Sequence, residues 1–383
     1  MRMIGVVLNH VIQNNLQKRF IKLSFRNMFR ILFLLLLLLM MAVGGAGYWI
    51  YEHRLTAPLP IHNDLHYTVK PNATVREVAM DFMEEELFDY PTAFAWVSWT
   101  RWWEKKAHLI KAGEYLIPVG TTPKQLFKIL IAGKAIQHTL TIPEGWNFRQ
   151  VMAAIRKHPK LVQTLDKELD NAEIMGKLGH PDKHPEGRFY PDTYHFPTDT
   201  TDVEFLQRAI EMMEIELKAA WEKRGENLPV KTDYEALILA SIVEKETGVA
   251  EERPRIAGVF ARRLQKNMLL QTDPTVIYAL GETYDGNIRL QDLKNKSPYN
   301  TYVHKGLPPT PIAMPGRASL YAAVNPAEGD EIFFVAKGKG SHYFSATYKE
   351  HNCAVIEYQL KEKSPRKYER QCRKYPRCAA CSS

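Results

Sequence analysis

Acidic residues are missing from the first 30 positions of this 383-residue chain, and cysteine is missing before Cys353. The first absence makes the N-terminal segment purely basic, through Arg2, Lys18, Arg19, Lys22, Arg26 and Arg30. The tail from Lys361 onward is also net +6, and the two ends together exceed the total of +8, so the body between them is net acidic. A basic folded face is therefore lacking, which removes the compositional argument for nucleic-acid binding. The four cysteines, Cys353, Cys372, Cys378 and Cys381, all lie near the C-terminus. They can pair as disulfides if that end is exported. Cys378 and Cys381 also have metal-ligand spacing, but no second close pair or nearby histidine accompanies them. Nor does any His/Asp/Glu set in residues 137–358 show ligand spacing, so neither a metal nor another cofactor is expected.

Charge is absent once more from Ile31 to Tyr51, ILFLLLLLLMMAVGGAGYWIY. Twenty-one helical residues span roughly 30 Å, the thickness of a bilayer's hydrocarbon core. The basic flank predicts a single-pass helix with its N-terminus in the cytoplasm and everything after Glu52 exported. Tyr48, Trp49 and Tyr51 fall where aromatic anchors sit at the outer interface. A cleaved signal peptide is the rival, with Gly44-Gly45-Ala46 as its small residues. The long basic flank and the apolar length favour an uncleaved membrane anchor.

After a linker ending near Pro58-Leu-Pro60, His66 to Ala79 reads as a strand, a Pro-Asn turn and a helix starting near Ala73 or Thr74. The pattern recurs as a strand over Ala112–Ile117, a turn, and a helix over Lys124–Ile131. Leu140-Thr-Ile-Pro-Glu-Gly145 precedes a helix carrying Phe148, Val151, Met152 and Ile155. Glu186 to Pro197 is dense in aromatics and proline, and reads chiefly as packing. Val203–Arg224 is an amphipathic helix. The next helix opens on a capping-box pattern, Thr232 with Glu235, and runs Ala236-Leu-Ile-Leu-Ala-Ser-Ile-Val243 before Glu244, Glu246 and Gly248. Ile332–Ala336 and His342–Ser345 flank Gly338-Lys-Gly340 as a hairpin.

Glu244 and Glu246 are about 200° apart around a helix, so one cleft cannot use both equally. Glu246 shares its face with Leu239, Ile242 and Val243; Glu244 has the smaller, more polar Leu237, Ala240 and Ser241. Glu246 has the drier surroundings and lies nearer the negative end of the helix dipole, which predicts a raised pKa. A carboxyl that is partly protonated near neutrality is what acid catalysis on a glycosidic bond requires. The bland alternative is a pair of solvated helix-end glutamates pairing with Arg253 or Lys245.

Two resemblances sharpen this reading. YTVKPNATVREVA resembles the opening of a LysM domain, a small glycan-binding module, although the usual Gly-Asp of the turn is missing; a spacer is the alternative. The segments ASIVEKETGVAEERPRIAGVFARRL, LLQTDPTVIYALG, SPYNTYVHKGLPPTPIAMPG and FVAKGKGSHYFSATYKEHN resemble the YceG-like family of endolytic murein transglycosylases. The resemblance, which runs from the apolar helix to about Tyr358, implies an inner-membrane anchor (31–51), a LysM-like α+β domain (65–136) and a mixed α/β catalytic domain (137–358) in the periplasm. Composition adds a basic cytoplasmic segment (1–30), a linker (52–64) and a basic cysteine-containing tail (359–383). The expected class is thus α+β behind one membrane helix. Glu246 falls at the position implied to be catalytic, and Glu246-Thr247 fits the Glu-Ser helix ending of other lytic transglycosylases where Glu244-Lys245 does not.

The implied reaction cleaves the β-1,4 bond between N-acetylmuramic acid and N-acetylglucosamine and leaves a 1,6-anhydro end. Gln271, Asp273, Tyr299, Asn300 and Glu244 are candidate substrate-binding residues; Asn300 is expected at the N-acetyl group, and His342 is read as structural. Asp273 has helix capping as its bland alternative. A muramidase-type hydrolase, with Asp273 or Asp192 positioning water, and a non-catalytic glycan-binding scaffold are the rivals. Peptidoglycan strands, the membrane and peptidoglycan synthases are the expected partners.

Overall fold

The computed structural model describes residues 2–103, 110–338, 340–361 and 364–381. Lys339 at the expected hairpin tip, and residues 104–109 within the expected LysM-like segment, lie outside the described residues. Helices and short antiparallel sheets alternate along the chain, which divides into two compact units, residues 1–136 and 137–383.

The first unit opens with α1 (Arg2–Thr56), within which Met28–Thr56 is long and apolar enough to cross a membrane. From Ile31 to Met41 its large apolar side chains are exposed. At its C-terminal end the burial changes: Leu55 is fully buried, together with Leu59, in a core with Phe82, Trp96 and Phe127. Around that core run β1 (Leu65–Val69), α2 (Val75–Glu84), α3 (Tyr90–Ser98), β2 (Gly113–Ile117) and α4 (Pro123–Ala132). β1 and β2 pair antiparallel, Leu65 opposite Ile117 and Val69 opposite Gly113. Thr74 closes a full capping box with Glu77 at α2, and Thr122 does so with Gln125 at α4. α4 begins one residue earlier than its apolar pattern suggests, because Pro123 fits the first helical position, where its missing N–H costs nothing. The α3 helix runs on into a π-turn over Trp99–Trp103.

The second unit contains β3 (His138–Thr141), α5 (Phe148–Lys157), α6 (Asn171–Lys177), β4 (Thr193–Phe196), α7 (Asp202–Glu222), α8 (Asp233–Glu246), α9 (Arg253–Gln265), α10 (Asp273–Leu280), α11 (Arg317–Val324), β5 (Phe333–Gly338), β6 (Ser341–Ser345), α12 (Tyr348–Val355) and α13 (Pro365–Lys374). β3 pairs with β4, and β5 with β6. One core gathers α5, α6 and the start of α7; a second surrounds α8 with α9, α11 and the end of α7. In α8 every residue from Ala236 to Val243 is buried, so the helix is apolar all round and occupies the middle of its core.

The tail is stapled to the unit. Cys353 in α12 bonds Cys378, and Cys372 in α13 bonds Cys381, so Cys378 and Cys381 take separate partners instead of forming half a metal site. Ile356, Cys378 and Ala380 make a small satellite core with Tyr368 and Tyr375. Closing loops of this kind contributes about 2–4 kcal/mol each in the usual range. Reduction should therefore expose the Lys/Arg bonds of residues 365–377 to trypsin well before those of α8 and α9. Mass mapping of a digest with and without reductant checks this, and equal protection in both would show that the disulfides do not hold the tail.

Candidate active site

The C-terminal turn of α8 sends three consecutive charged side chains in three directions. Thr232 caps the start of the helix by accepting from Glu235 N at 3.1 Å, but the reciprocal half of the box is absent: the Glu235 carboxylate accepts from Lys231 N. At the far end Thr247 leaves the helix in an extended conformation (φ −145°, ψ 135°), its hydroxyl accepting from Val249 N at 3.0 Å. The turn before it is thereby fixed.

Glu244 is 6% exposed and faces the 314–316 segment. It accepts from Gly316 N at 3.0 Å and lies 3.7 Å from Arg253 Nη2, so its carboxylate is engaged by the protein and is not free for a sugar. Lys245 donates to Gly145 O at 3.1 Å. Glu246 turns to the opposite side, where the Thr272 hydroxyl donates to Oε1. Burial raises its pKa to about 7; the neighbouring charge of Asp273 adds to this, while the Thr272 hydrogen bond and Arg263 oppose it. The residue keeps a partly open face although its carboxyl is enclosed deeply enough for desolvation to dominate.

A buried threonine cluster builds the wall that Glu246 meets. Thr272 N donates to Thr301 Oγ1 at 3.1 Å, Thr275 and Thr301 share a hydroxyl contact of 2.9 Å, and Gln271 N donates to Thr301 O at 3.1 Å. Gln271 is exposed and held at φ +52°, a left-handed conformation that costs a non-glycine residue about a kcal/mol or more. Asp273 is exposed at the first turn of α10, accepting from the Tyr302 hydroxyl at 2.6 Å.

Of the residues singled out from the sequence, Glu246, Asp273 and Gln271 are thus brought together. Tyr299 lies off to one side, its hydroxyl 2.8 Å from Thr310 and its ring 4.9 Å from that of Tyr278. Asn300 is a correction. It is fully buried, its amide donates to the carbonyls of Asn295 and Leu293, and its carbonyl accepts from Tyr302 N, so it shapes the loop and has no group left for an N-acetyl contact. Asp192 accepts from Thr193 N at the start of β4. His342 sits on Glu252, through Nδ1 at 2.8 Å and its own N–H at 2.9 Å.

Sequence reasoning missed Glu186. It is 3% exposed, accepts from Phe148 N at 3.0 Å and from the Tyr278 hydroxyl at 2.9 Å, and burial raises its pKa to about 7. No local sequence signal marked it; in the structure it precedes Gly187, whose φ of +79° and contact with Pro311 leave no room for a Cβ. Glu186 lines a cavity of about 780 Å³ that reaches Lys245 but not Glu246. Among the described residues, no group of three or more His, Cys, Asp or Glu is disposed to hold a metal ion.

A sequence model of the YceG-like family matches residues 67–357. An endolytic murein transglycosylase of Bacillus subtilis (strain 168) is 31% identical over 338 residues, covering 83% of this chain and 91% of that protein. A protein of the same description from Streptococcus pneumoniae is 27% identical over 363 residues, covering 82% of this chain and 63% of its own length. A YceG-like protein of known structure from Listeria monocytogenes is 29% identical, with a TM-score of 0.47 over 76% of this chain and 98% of that one.

A carboxyl whose pKa is raised on folding binds its proton more tightly in the native state, so stability is lost as pH climbs from the ordinary carboxyl value toward 7. Glu246→Gln removes that loss. The variant should be more stable than wild type at pH 8, by up to about 3 kcal/mol, with the difference shrinking toward pH 4. Urea titrations at both pH values check this; an unchanging difference would mean that Glu246 titrates normally.

Proposed function

The chain belongs to the YceG-like family, and from that premise we propose that it is an endolytic murein transglycosylase, held in the inner membrane by α1 with residues 137–358 acting in the periplasm. The observation that carries this reading is the Glu246 carboxyl, kept partly protonated at neutral pH by its burial at the end of α8. Glu246 donates its proton to the glycosidic oxygen between N-acetylmuramic acid and N-acetylglucosamine. The N-acetyl group of the muramic unit and the Asp273 carboxylate stabilise the positive charge that develops at the anomeric carbon. Glu246, now a carboxylate, accepts the C6-hydroxyl proton as that oxygen closes the 1,6-anhydro ring. One carboxyl serves both steps, so no activated water is needed. The Thr272 hydroxyl holds Oε1 in place through both protonation states, and Gln271 lies at the open side as a sugar contact.

Residues 65–136 serve as a LysM-like glycan-binding domain in this reading, supported by the β1-α2-α3-β2 order with its strands paired antiparallel. The exposed apolar stretch of α1 and the basic residues before it favour a single-pass anchor with the N-terminus inside. An enzyme so tethered meets glycan close to the membrane, where new strands are made. It would end strand growth there, alongside peptidoglycan synthases.

Peptidoglycan digested by the purified full-length protein should yield products ending in 1,6-anhydro-muramic acid by mass spectrometry. Glu246→Gln should lower the rate by at least about 10²-fold, the usual scale for a lost general acid. Reducing ends in place of anhydro ends would sink the transglycosylase reading in favour of a hydrolase. In cells, deletion of the protein should lengthen wall glycan strands on chromatography; unchanged length would refute the strand-ending role.

A further inference from the structure

The 780 Å³ cavity beside α8 has a charge pattern that a neutral sugar chain does not explain. Arg149 and Arg156 of α5, Lys167 and Lys245 all line it, and Glu186 is the one acidic residue among the lining groups. Glu186 offsets at most one of these four positive charges, and burial raises its carboxyl pKa to about 7, so it is only partly ionised near neutrality. Arg149 pairs with Glu282 at 2.7 Å, an exposed ion pair of little strength. Arg156 and Lys245 donate to backbone carbonyls, Lys167 O and Gly145 O, and among the described residues neither has an acidic partner. The wall is therefore cationic, while the floor of Phe148, Met152, Ile174 and Ile277 is apolar.

Hydroxyls and N-acetyl groups carry no charge, so cations in a glycan cleft serve some other part of the ligand. In murein that part is the peptide branch on the muramic lactyl group, which ends in carboxylates and carries short apolar side chains. We propose that this cavity binds the carboxylate-bearing peptide branch of the glycan, with Arg156 and Lys167 as its charge contacts and the Phe148–Ile277 floor taking the apolar side chains. The proposal rests on the transglycosylase reading for its choice of ligand. Its place in the molecule supports that choice: Lys245 joins the cavity to the turn that carries Glu246, and α10 contributes Asp273 at one end and Ile277 and Tyr278 to the cavity wall. A branch seated here fixes which muramic unit meets the acid.

The test compares two substrates of equal length: native strands with intact peptides, and the same strands with their peptide carboxylates converted to amides. Full-length wild-type protein should cleave the native strands with kcat/KM about tenfold higher, the scale of one charge-assisted hydrogen bond. Arg156→Glu with Lys167→Glu, both exposed on the wild-type surface, should erase that preference through KM and leave cleavage of the amidated strands unchanged. Arg156→Gln with Lys167→Gln should fall between. Equal cleavage of both strands by wild type, or an equal loss on both in the variants, would overturn the proposal. Calorimetry with a soluble disaccharide-peptide separates the two readings. If wild type makes no anhydro ends yet binds this probe, and the charge-reversed variant does not, the cavity assignment stands while the transglycosylase reading falls. If wild type does not bind the probe, the cavity assignment falls whatever the activity.

Discussion

Desolvation of one carboxyl, that of Glu246, is the constraint around which the second unit is built. A buried carboxylate is expensive, and the structure lowers that cost only partly, with one hydroxyl from Thr272 and the more distant Arg263. Had a lysine or arginine been paired with Glu246 directly, the charge would be compensated and the proton lost well below neutrality. Glu244, two residues earlier, is held differently, by a hydrogen bond from Gly316 N and with Arg253 at 3.7 Å. The two glutamates thus have opposite environments at nearly the same point of one helix. What separates them is the 200° of rotation between them, which only a helix rigid to its last turn can maintain.

Rigidity of that turn comes from α8 being buried on all sides and from polar groups that tie its neighbours to it. Ser241 is fully buried mid-helix; it donates to Ile238 O and accepts from Ile312 N, which stitches the 310–316 segment to the helix. On the other side the hydroxyls of Thr275 and Thr301 and the backbone N–H and carbonyl of Thr272 form a buried network linking α10 to the following loop. Buried networks of this kind are stable only when every member is satisfied. Next to this network, Asn300 fixes the loop by gathering its carbonyls around the side-chain amide. The loop can then present Thr272 to Glu246 at a fixed place.

How much of this was legible follows from how local each signal is. α8 could be read because an apolar run, an N-cap threonine and a terminal pair of acids all lie within sixteen residues. The drier side of the helix followed from i−3, i−4 and i−7 neighbours alone. Asn300 was misplaced because exposure is not a property of a polar residue's identity; the carbonyls it serves come from the turn of the chain around it. The pairing of the cysteines could not be derived either, since four cysteines allow three connectivities and α12 supplies the decisive partner. Glu186 was invisible for a related reason. Its environment is assembled by Phe148 and Tyr278, 38 and 92 residues away, and nothing in its neighbours announces burial.

Glu186 also shows why a raised pKa does not by itself identify an acid catalyst. Both glutamates are raised to about 7, and burial is the main cause in each. Their hydrogen bonds differ. Glu186 accepts from the Phe148 backbone and from Tyr278 through its two oxygens, so both are occupied and the group is braced between α5 and α10. Glu246 has one oxygen held by Thr272, and among the described residues its carboxyl has no other hydrogen-bond partner. A proton donor must hold one oxygen still and offer the other, and it must do so from a residue with an open face. Glu246 meets that requirement. Glu186 instead serves as a brace, its two oxygens tying the start of α5 to α10 on one wall of the cavity.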